Sequence, residues 1–229
     1  MTIGSISNRN ESRSIAVFDL DGTLTKTDTF KRFLLKGAVS NPACITRLPY
    51  LSIQFIRNKL GQISNGDLKR GFLSAIFSTI EPSNIKKISR ALANETICNN
   101  LRRLALEKIK AHRIAGDRLI LATASLDVYA SEIAKILKFD DVIATRCSTN
   151  IHGGLSGELD GPNLKSEQKL IALKNLLQDE LGSLKITAYS DHHSDLPLLK
   201  FATQGIAVNP TSKLAKTAKK YNIFIENWD

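Results

Sequence analysis

The segment Ser14 to Leu20 (SIAVFDL) is short, apolar and rich in β-branched residues, and it runs directly into Asp19-Leu20-Asp21-Gly22. A run of this length closed by a turn signal is a buried strand opening into a loop. Such a strand belongs inside a sheet covered on both faces, and this one ends in two carboxylates. That pairing of an apolar strand with an acidic tip constrains the chain more than any other feature.

The remaining pattern fits a sheet of this kind. Arg118 to Ala122 (RLILA) reads as a strand and Val128 to Leu137 as a helix, with Ser125 as its N-cap. Asp141 to Thr145 reads as a strand, and the glycine-rich stretch from Ile151 to Gly161 as a hairpin. Ser166 to Leu181 reads as a helix capped by Ser166, and Leu184 to Tyr189 as a strand. A short helix near Asp195 to Lys200, a strand Gly205 to Val208, a helix Ser212 to Lys220 and a short strand Asn222 to Ile225 complete the series. Strands alternating with helices imply a parallel sheet with right-handed crossovers.

From Thr27 to about Arg113 the pattern is helical throughout. Phe30, Phe33 and Leu34 mark one segment, and Leu48, Leu51, Phe55 and Leu60 a second. Leu68, Phe72, Leu73 and Ile76 mark a third, and Ile97, Leu101, Leu104 and Ile109 a fourth. The expected fold class is therefore α/β, a Rossmann-like parallel-sheet core with an inserted all-helical cap. The expected domains are residues 14–25 and 115–229 for the core and 26–114 for the cap. The cap would cover the C-terminal edge of the sheet, where open α/β sheets bind ligands.

Charge follows the same division. The chain of 229 residues carries a net charge of +10, yet Lys26 to Arg113 alone holds 17 basic and 5 acidic residues. An anionic small substrate, an anionic membrane surface or nucleic acid would each suit a basic cap, as would a solvated helical surface with no partner. Aromatic residues make up 6% and no nucleic-acid motif is visible, so nucleic acid is not the expected partner. No apolar run is long enough for a transmembrane helix, and Met1 to Arg13 lacks the apolar core of a signal peptide. Cys44, Cys98 and Cys147 form no CxxC pair and read as reduced thiols. The expected location is cytoplasmic, with peripheral membrane contact as the alternative.

Polar residues fall just past the strand ends: Asp19 and Asp21 after the first strand, Thr123 after the second, Asp191 and Asp195 after the strand at Leu184 to Tyr189. Clustered carboxylates are costly unless a cation neutralises them, and oxygen-only ligation suits Mg²⁺, with Asp19 and Asp191 as the expected ligands. A carboxylate can also act as a nucleophile, and a second one two residues on can protonate a leaving oxygen and later activate water. Lys169, early in its helix, and the Thr123 hydroxyl would support a phosphoryl group. Lys165 competes with Lys169 for that role. His192 and His193 read as loop residues near the pocket.

DLDGT at Asp19 to Thr23, LATAS at Leu121 to Ser125, Lys169 in KSEQK and YSDHHSD at Tyr189 to Asp195 together resemble the haloacid dehalogenase-like (HAD-like) superfamily. More narrowly they resemble its phosphoserine-phosphatase-like branch with a helical cap. The resemblance implies Asp19 as nucleophile and Mg²⁺ ligand, and Asp21 as general acid and base whose backbone carbonyl also meets the metal. It implies Thr123 and Lys169 for phosphate binding, Asp191 as metal ligand and Asp195 as support for the metal site. Asp28 stands where phosphoserine phosphatases carry a substrate-binding Glu. Ala124 and Ser125 replace their Gly-Gly pair, and only Lys69 and Arg70 loosely match their cap arginine.

The expected function is thus a Mg²⁺-dependent phosphomonoester phosphatase acting through an aspartyl-phosphate on a small phosphate ester. The alternatives are a phosphatase of a lipid head-group phosphate at a membrane surface, phosphoryl transfer to another hydroxyl, and a non-catalytic protein using the basic cap for binding. Leu48, Tyr50, Leu51, Ile53, Phe55, Ile56 and Leu60, with Arg47, Arg57 and Lys59 around them, are expected to form the cap's own small core, with a membrane interface as the rival reading.

Overall fold

The computed structural model describes residues 14–178 and 184–229. The leader reading of Met1 to Arg13, and the end of the helix expected to reach Leu181, lie outside the described residues. Six parallel strands form the central sheet: β1 (Ser14–Phe18), β2 (Arg118–Leu126), β3 (Asp141–Thr145), β6 (Lys185–Ser190), β7 (Gln204–Val208) and β8 (Phe224–Glu226). Their order is β3-β2-β1-β6-β7-β8. A separate antiparallel hairpin joins β4 (Cys147–Thr149) to β5 (Leu155–Leu159).

Strand β1 shows why its sequence is apolar almost throughout. Ala16 and Phe18 point to one face, and Ile15 and Val17 to the other, as period-two alternation requires. The first face packs under α5 (Arg103–Ile114) and α6 (Asp127–Leu137). The second packs under α7 (Glu167–Leu177), α8 (Leu196–Phe201) and α9 (Ser212–Ala218). Phe18 stacks on Tyr189 at 4.6 Å between ring centroids, which ties β1 to β6 one residue before Asp19 and two before Asp191. The motif turns after β1 and β6 therefore leave the same edge side by side.

Four helices precede α5: α1 (Thr29–Ser40), α2 (Leu48–Lys59), α3 (Asn65–Phe77) and α4 (Pro82–Glu95). The sequence pattern did not mark α4. The fourth expected segment is also divided, because a π-helical turn at Thr96–Asn100 ends at an extended Leu101 and Arg102 before α5 begins. Lys26 and Arg102 backbone bonds to Asn100 and Leu24 pin this crossing to the loop after β1. The first, second and third segments form at the expected places. Strand β2 continues four residues past Ala122, so Ser125 lies within it and α6 has Leu126 at its N-cap position without a side-chain bond. The N-cap reading of Ser125 is thereby corrected. Ser166 occupies the N-cap position of α7, but its side chain makes no capping bond.

The cap core differs from expectation in one respect. Phe33, Leu73, Ile76, Phe77, Ile85, Ile88 and Leu92 are buried in it, whereas α2 contributes only Leu51. Leu48, Tyr50, Ile53, Phe55, Ile56 and Leu60 are exposed, so the expectation that they form the cap's small core is overturned. Helix α2 rests on α3 through one narrow stripe, too narrow to cover so many apolar side chains.

The α1–α3 contact predicts a sign reversal. Phe77 stacks on Phe33 at 4.4 Å, and a Cβ on Gly37 would stand 2.2 Å from the Phe77 ring. Gly→Ala inside a helix ordinarily stabilises by up to about 1 kcal/mol. Gly37→Ala should instead destabilise by about 1–3 kcal/mol through overpacking, seen as a lower urea midpoint.

Candidate active site

The turn after β1 is built around a glycine with no room for a side chain. Gly22 has φ of +84°, and a Cβ there would meet an Asp191 carboxylate oxygen at 2.3 Å. The DLDGT turn can therefore lie directly against the loop after β6. Thr23 joins the two: its hydroxyl lies 3.3 Å from Asp19 and 3.4 Å from Asp191 and accepts the Asp191 N–H at 2.9 Å.

Lys169, buried in the first turn of α7, donates to Asp19 Oδ1 at 2.7 Å and to Asp195 Oδ2 at 2.5 Å. Ser190 donates to the same Asp195 oxygen at 2.8 Å. Burial works against the lysine charge, but the two carboxylates hold its pKa above the ordinary value. Burial pushes Asp19 up to about 7, assisted by Asp195 and Asp191 and opposed by Lys169. Burial and the Asp195 charge likewise raise Asp191 to about 6. Lys169 thus holds two of the three carboxylates, while Asp191 accepts from the Thr23 hydroxyl and feels the charge of Arg102.

This donor set fits a divalent cation. Among the described residues no three acidic, imidazole or thiolate side chains form a ready-made cage. Asp19 and Asp191 supply hard oxygen donors and surplus negative charge, and Mg²⁺ commonly completes its shell with waters and substrate oxygens.

Asp21 turns the other way, toward the cap. Its carboxylate accepts from the Thr29 N–H at 2.6 Å and from the Ser125 hydroxyl at 2.5 Å. Burial raises its pKa, the Ser125 and Thr29 bonds oppose this, and Asp28 adds to it. Thr123 is buried two residues before Ser125 on the same side of β2, and its hydroxyl accepts the Ser125 N–H at 3.0 Å. Ser125 was missed as a site residue because the strand was read as ending at Ala122. The alternation of Thr123 and Ser125 was the signal available.

A cavity of about 460 Å³ brings these groups together. Asp19, Asp21, Thr123, Lys169, Asp191 and Asp195 form its charged floor, and Lys165 and His192 also line it. Asp28 is exposed at the rim, where its side chain caps α1 by accepting the Lys31 N–H at 3.0 Å. His193 lies away from this cavity, in a neighbouring depression. Phe30, Leu34, Phe55, Leu68 and Phe72 make the cap-side wall apolar. Lys69 on α3 crosses from cap to core, donating to the Ala124 carbonyl and, at 2.6 Å, to Asn163. Its ammonium lies 5.6 Å from the Phe30 ring centroid. Neither Lys69's reach nor Asn163 was legible from a motif.

The family model described as haloacid dehalogenase-like hydrolase matches residues 16–200. A histidinol-phosphatase of Neisseria meningitidis is 26% identical over 216 residues, covering 91% of this chain and 96% of that protein. A protein of unknown function from Bordetella pertussis superposes with a TM-score of 0.82 at 23% identity, over 95% of this chain and 99% of the other. A phospho-aspartyl intermediate analogue of phosphoserine phosphatase superposes with a TM-score of 0.66 at 20% identity, over 95% of each chain. The two structures share the fold.

Burial lowers Lys69 to about 8, against the pull of Asp21 and Asp28. It is charged below that pH and loses its charge above it. Sulfate, whose own charge is constant in this range, should bind the cavity more weakly as pH rises through about 8. Lys69→Met should bind it about tenfold more weakly at neutral pH and lose this pH limb, as titration calorimetry would measure.

Proposed function

The chain belongs to the haloacid dehalogenase-like hydrolase family, and we propose that it is a Mg²⁺-dependent phosphomonoesterase acting through an aspartyl-phosphate on Asp19. One observation carries the reading. Asp19 and Asp21 leave a single turn at the C-terminal sheet edge, with Asp19 held by Lys169, Asp21 held by Ser125, and both lining the same cavity. A phosphatase needs an anchored carboxylate to attack phosphorus and a separate carboxyl to carry a proton, and this arrangement supplies both. The names of the relatives, a histidinol-phosphatase and a phosphoserine phosphatase, support the same class.

In the first step an Asp19 oxygen attacks phosphorus and the bond from phosphorus to the ester oxygen breaks. Asp21, whose buried carboxyl favours the protonated form, gives its proton to the departing oxygen. In the second step Asp21 takes a proton from water, the water oxygen attacks phosphorus, and the bond to Asp19 breaks to release phosphate. Lys169 and the Thr123 hydroxyl would hold the phosphoryl oxygens, and Lys169 keeps Asp19 in place. Asp19, Asp191 and the Asp21 carbonyl would hold Mg²⁺, with Asp195 as support through Lys169 and Ser190. The cation, when bound, neutralises charge on the carboxylates and the phosphoryl group.

The cavity suits a small phosphate ester in volume. Asp28 at its rim would meet a cationic group of the substrate, and the cap would exclude bulk water. Phosphoryl transfer to another hydroxyl uses the same first step and would show as a phosphorylated acceptor in place of free phosphate.

Two substitutions test the reading. Asp19→Asn should reduce Mg²⁺-dependent phosphate release from an aryl phosphate by at least about 10³-fold, while the circular dichroism spectrum stays unchanged. Equal release by both proteins would remove the nucleophile assignment. Ser125→Ala should lower kcat about tenfold and move the pH limb set by Asp21 upward, because the bond that favours the ionised carboxylate is gone. An unchanged pH profile would show that Asp21 is not the proton carrier.

A further inference from the structure

Helix α2 is amphipathic with its faces reversed. The stripe turned toward the protein carries Leu51, Gln54 and Asn58, and the opposite stripe carries Ile53, Ile56 and Leu60 at helical spacing. Those three are 56%, 56% and 68% exposed. Arg57 and Lys59 flank the outward stripe on either side, in the positions from which long cationic side chains reach past an apolar face. Between Asp28 and Asp67 the chain has six basic residues and no acidic one.

The flank of α2 between its two stripes lines the active-site cavity. Phe55 is 47% exposed on α2 and also lines the cavity, next to Leu34, Leu68 and Phe72. Lys59 sits over its ring at 5.5 Å. The apolar cap-side wall of the pocket therefore reaches the cap surface at Phe55, on the margin of the outward stripe.

We propose that α2 docks this protein on an anionic lipid surface, with Ile53, Ile56 and Leu60 in the interface, Arg57 and Lys59 against the lipid phosphates, and the pocket wall at Phe55 beside it. The charge pattern selects this occupant. A second copy of the chain would bring Arg57 and Lys59 against the same pair of cations, whereas an anionic surface meets apolar stripe and basic flanks together. No helix among the described residues is long and apolar enough to cross a membrane, so the contact is peripheral. The inference deepens the phosphatase reading, resting on it for the pocket's identity but not for the surface, and it makes a phosphomonoester with an apolar tail the substrate class that the cap admits.

Co-sedimentation with vesicles tests it. The full chain should pellet with phosphatidylcholine vesicles containing about 30% phosphatidylglycerol at low salt, release at high salt, and stay in solution with phosphatidylcholine alone. The double variant Ile53→Ser, Ile56→Ser should bind at least about tenfold more weakly. Its hydrolysis of a soluble aryl phosphate should match that of the parent, because neither side chain lines the pocket. Absence of pelleting at low salt, binding that the double variant retains, or a wild-type dimer that the variant converts to monomer would each overturn the proposal. Failure of the phosphatase reading would appear separately, as vesicle binding without phosphate release from any ester.

Discussion

The ammonium of Lys169, buried between Asp19 and Asp195, is the interaction on which the site depends. Each of the three groups would be costly to bury alone, and removing one strands the others. Lys169 comes from α7, Asp19 from the turn after β1 and Asp195 from the turn after β6. One cation thereby joins three segments far apart in sequence. It can do so because the parallel sheet brings β1 and β6 side by side and closes both on the same edge. The lysine compensates only part of the acidic charge, and the remainder is what makes Asp19 and Asp191 suited to a divalent cation.

Asp19 and Asp21 stand two residues apart yet live in different surroundings. Asp19 faces the lysine and the other carboxylates, which fixes its position and leaves it acceptor-rich. Asp21 faces the first turn of α1 and the end of β2, where hydroxyl and amide donors hold it. In the proposed mechanism this difference in environment divides attack from proton transfer. The assignment also couples the cap to the chemistry, because Thr29, which donates to Asp21, is the first residue of α1.

Much of this was legible in the sequence, and the reasons are physical. A strand buried on both faces must be apolar almost throughout, so β1, β2 and β6 stood out, and polar residues at their ends had to gather at one edge. The charged floor of the cavity follows from that rule. Ser125 did not follow, since an alternating Thr-Ala-Ser tail resembles a helix start as much as a strand continuation. Lys69 and Asn163 did not follow either, because their meeting depends on how the cap sits over the core, and no local pattern encodes that. Helix α4 was lost among the polar residues that separate its buried positions Ile85, Ile88 and Leu92.

Helix α2 forms where expected but turns its apolar face outward, and it marks where sequence periodicity stops informing. An apolar stripe at helical spacing shows which face avoids water but not what it faces. Burying it against the protein was the economical reading, yet α3 already spends its apolar face on α1, β5 and the cap core. Leu51 takes the one opening left. The outward stripe then remains apolar with cations at both margins, and Phe55 on its flank belongs to the pocket wall. The core sets the chemistry through residues that a parallel sheet must place together. The proposed lipid contact would let the cap set what reaches that chemistry, through a surface whose partner is not part of the fold.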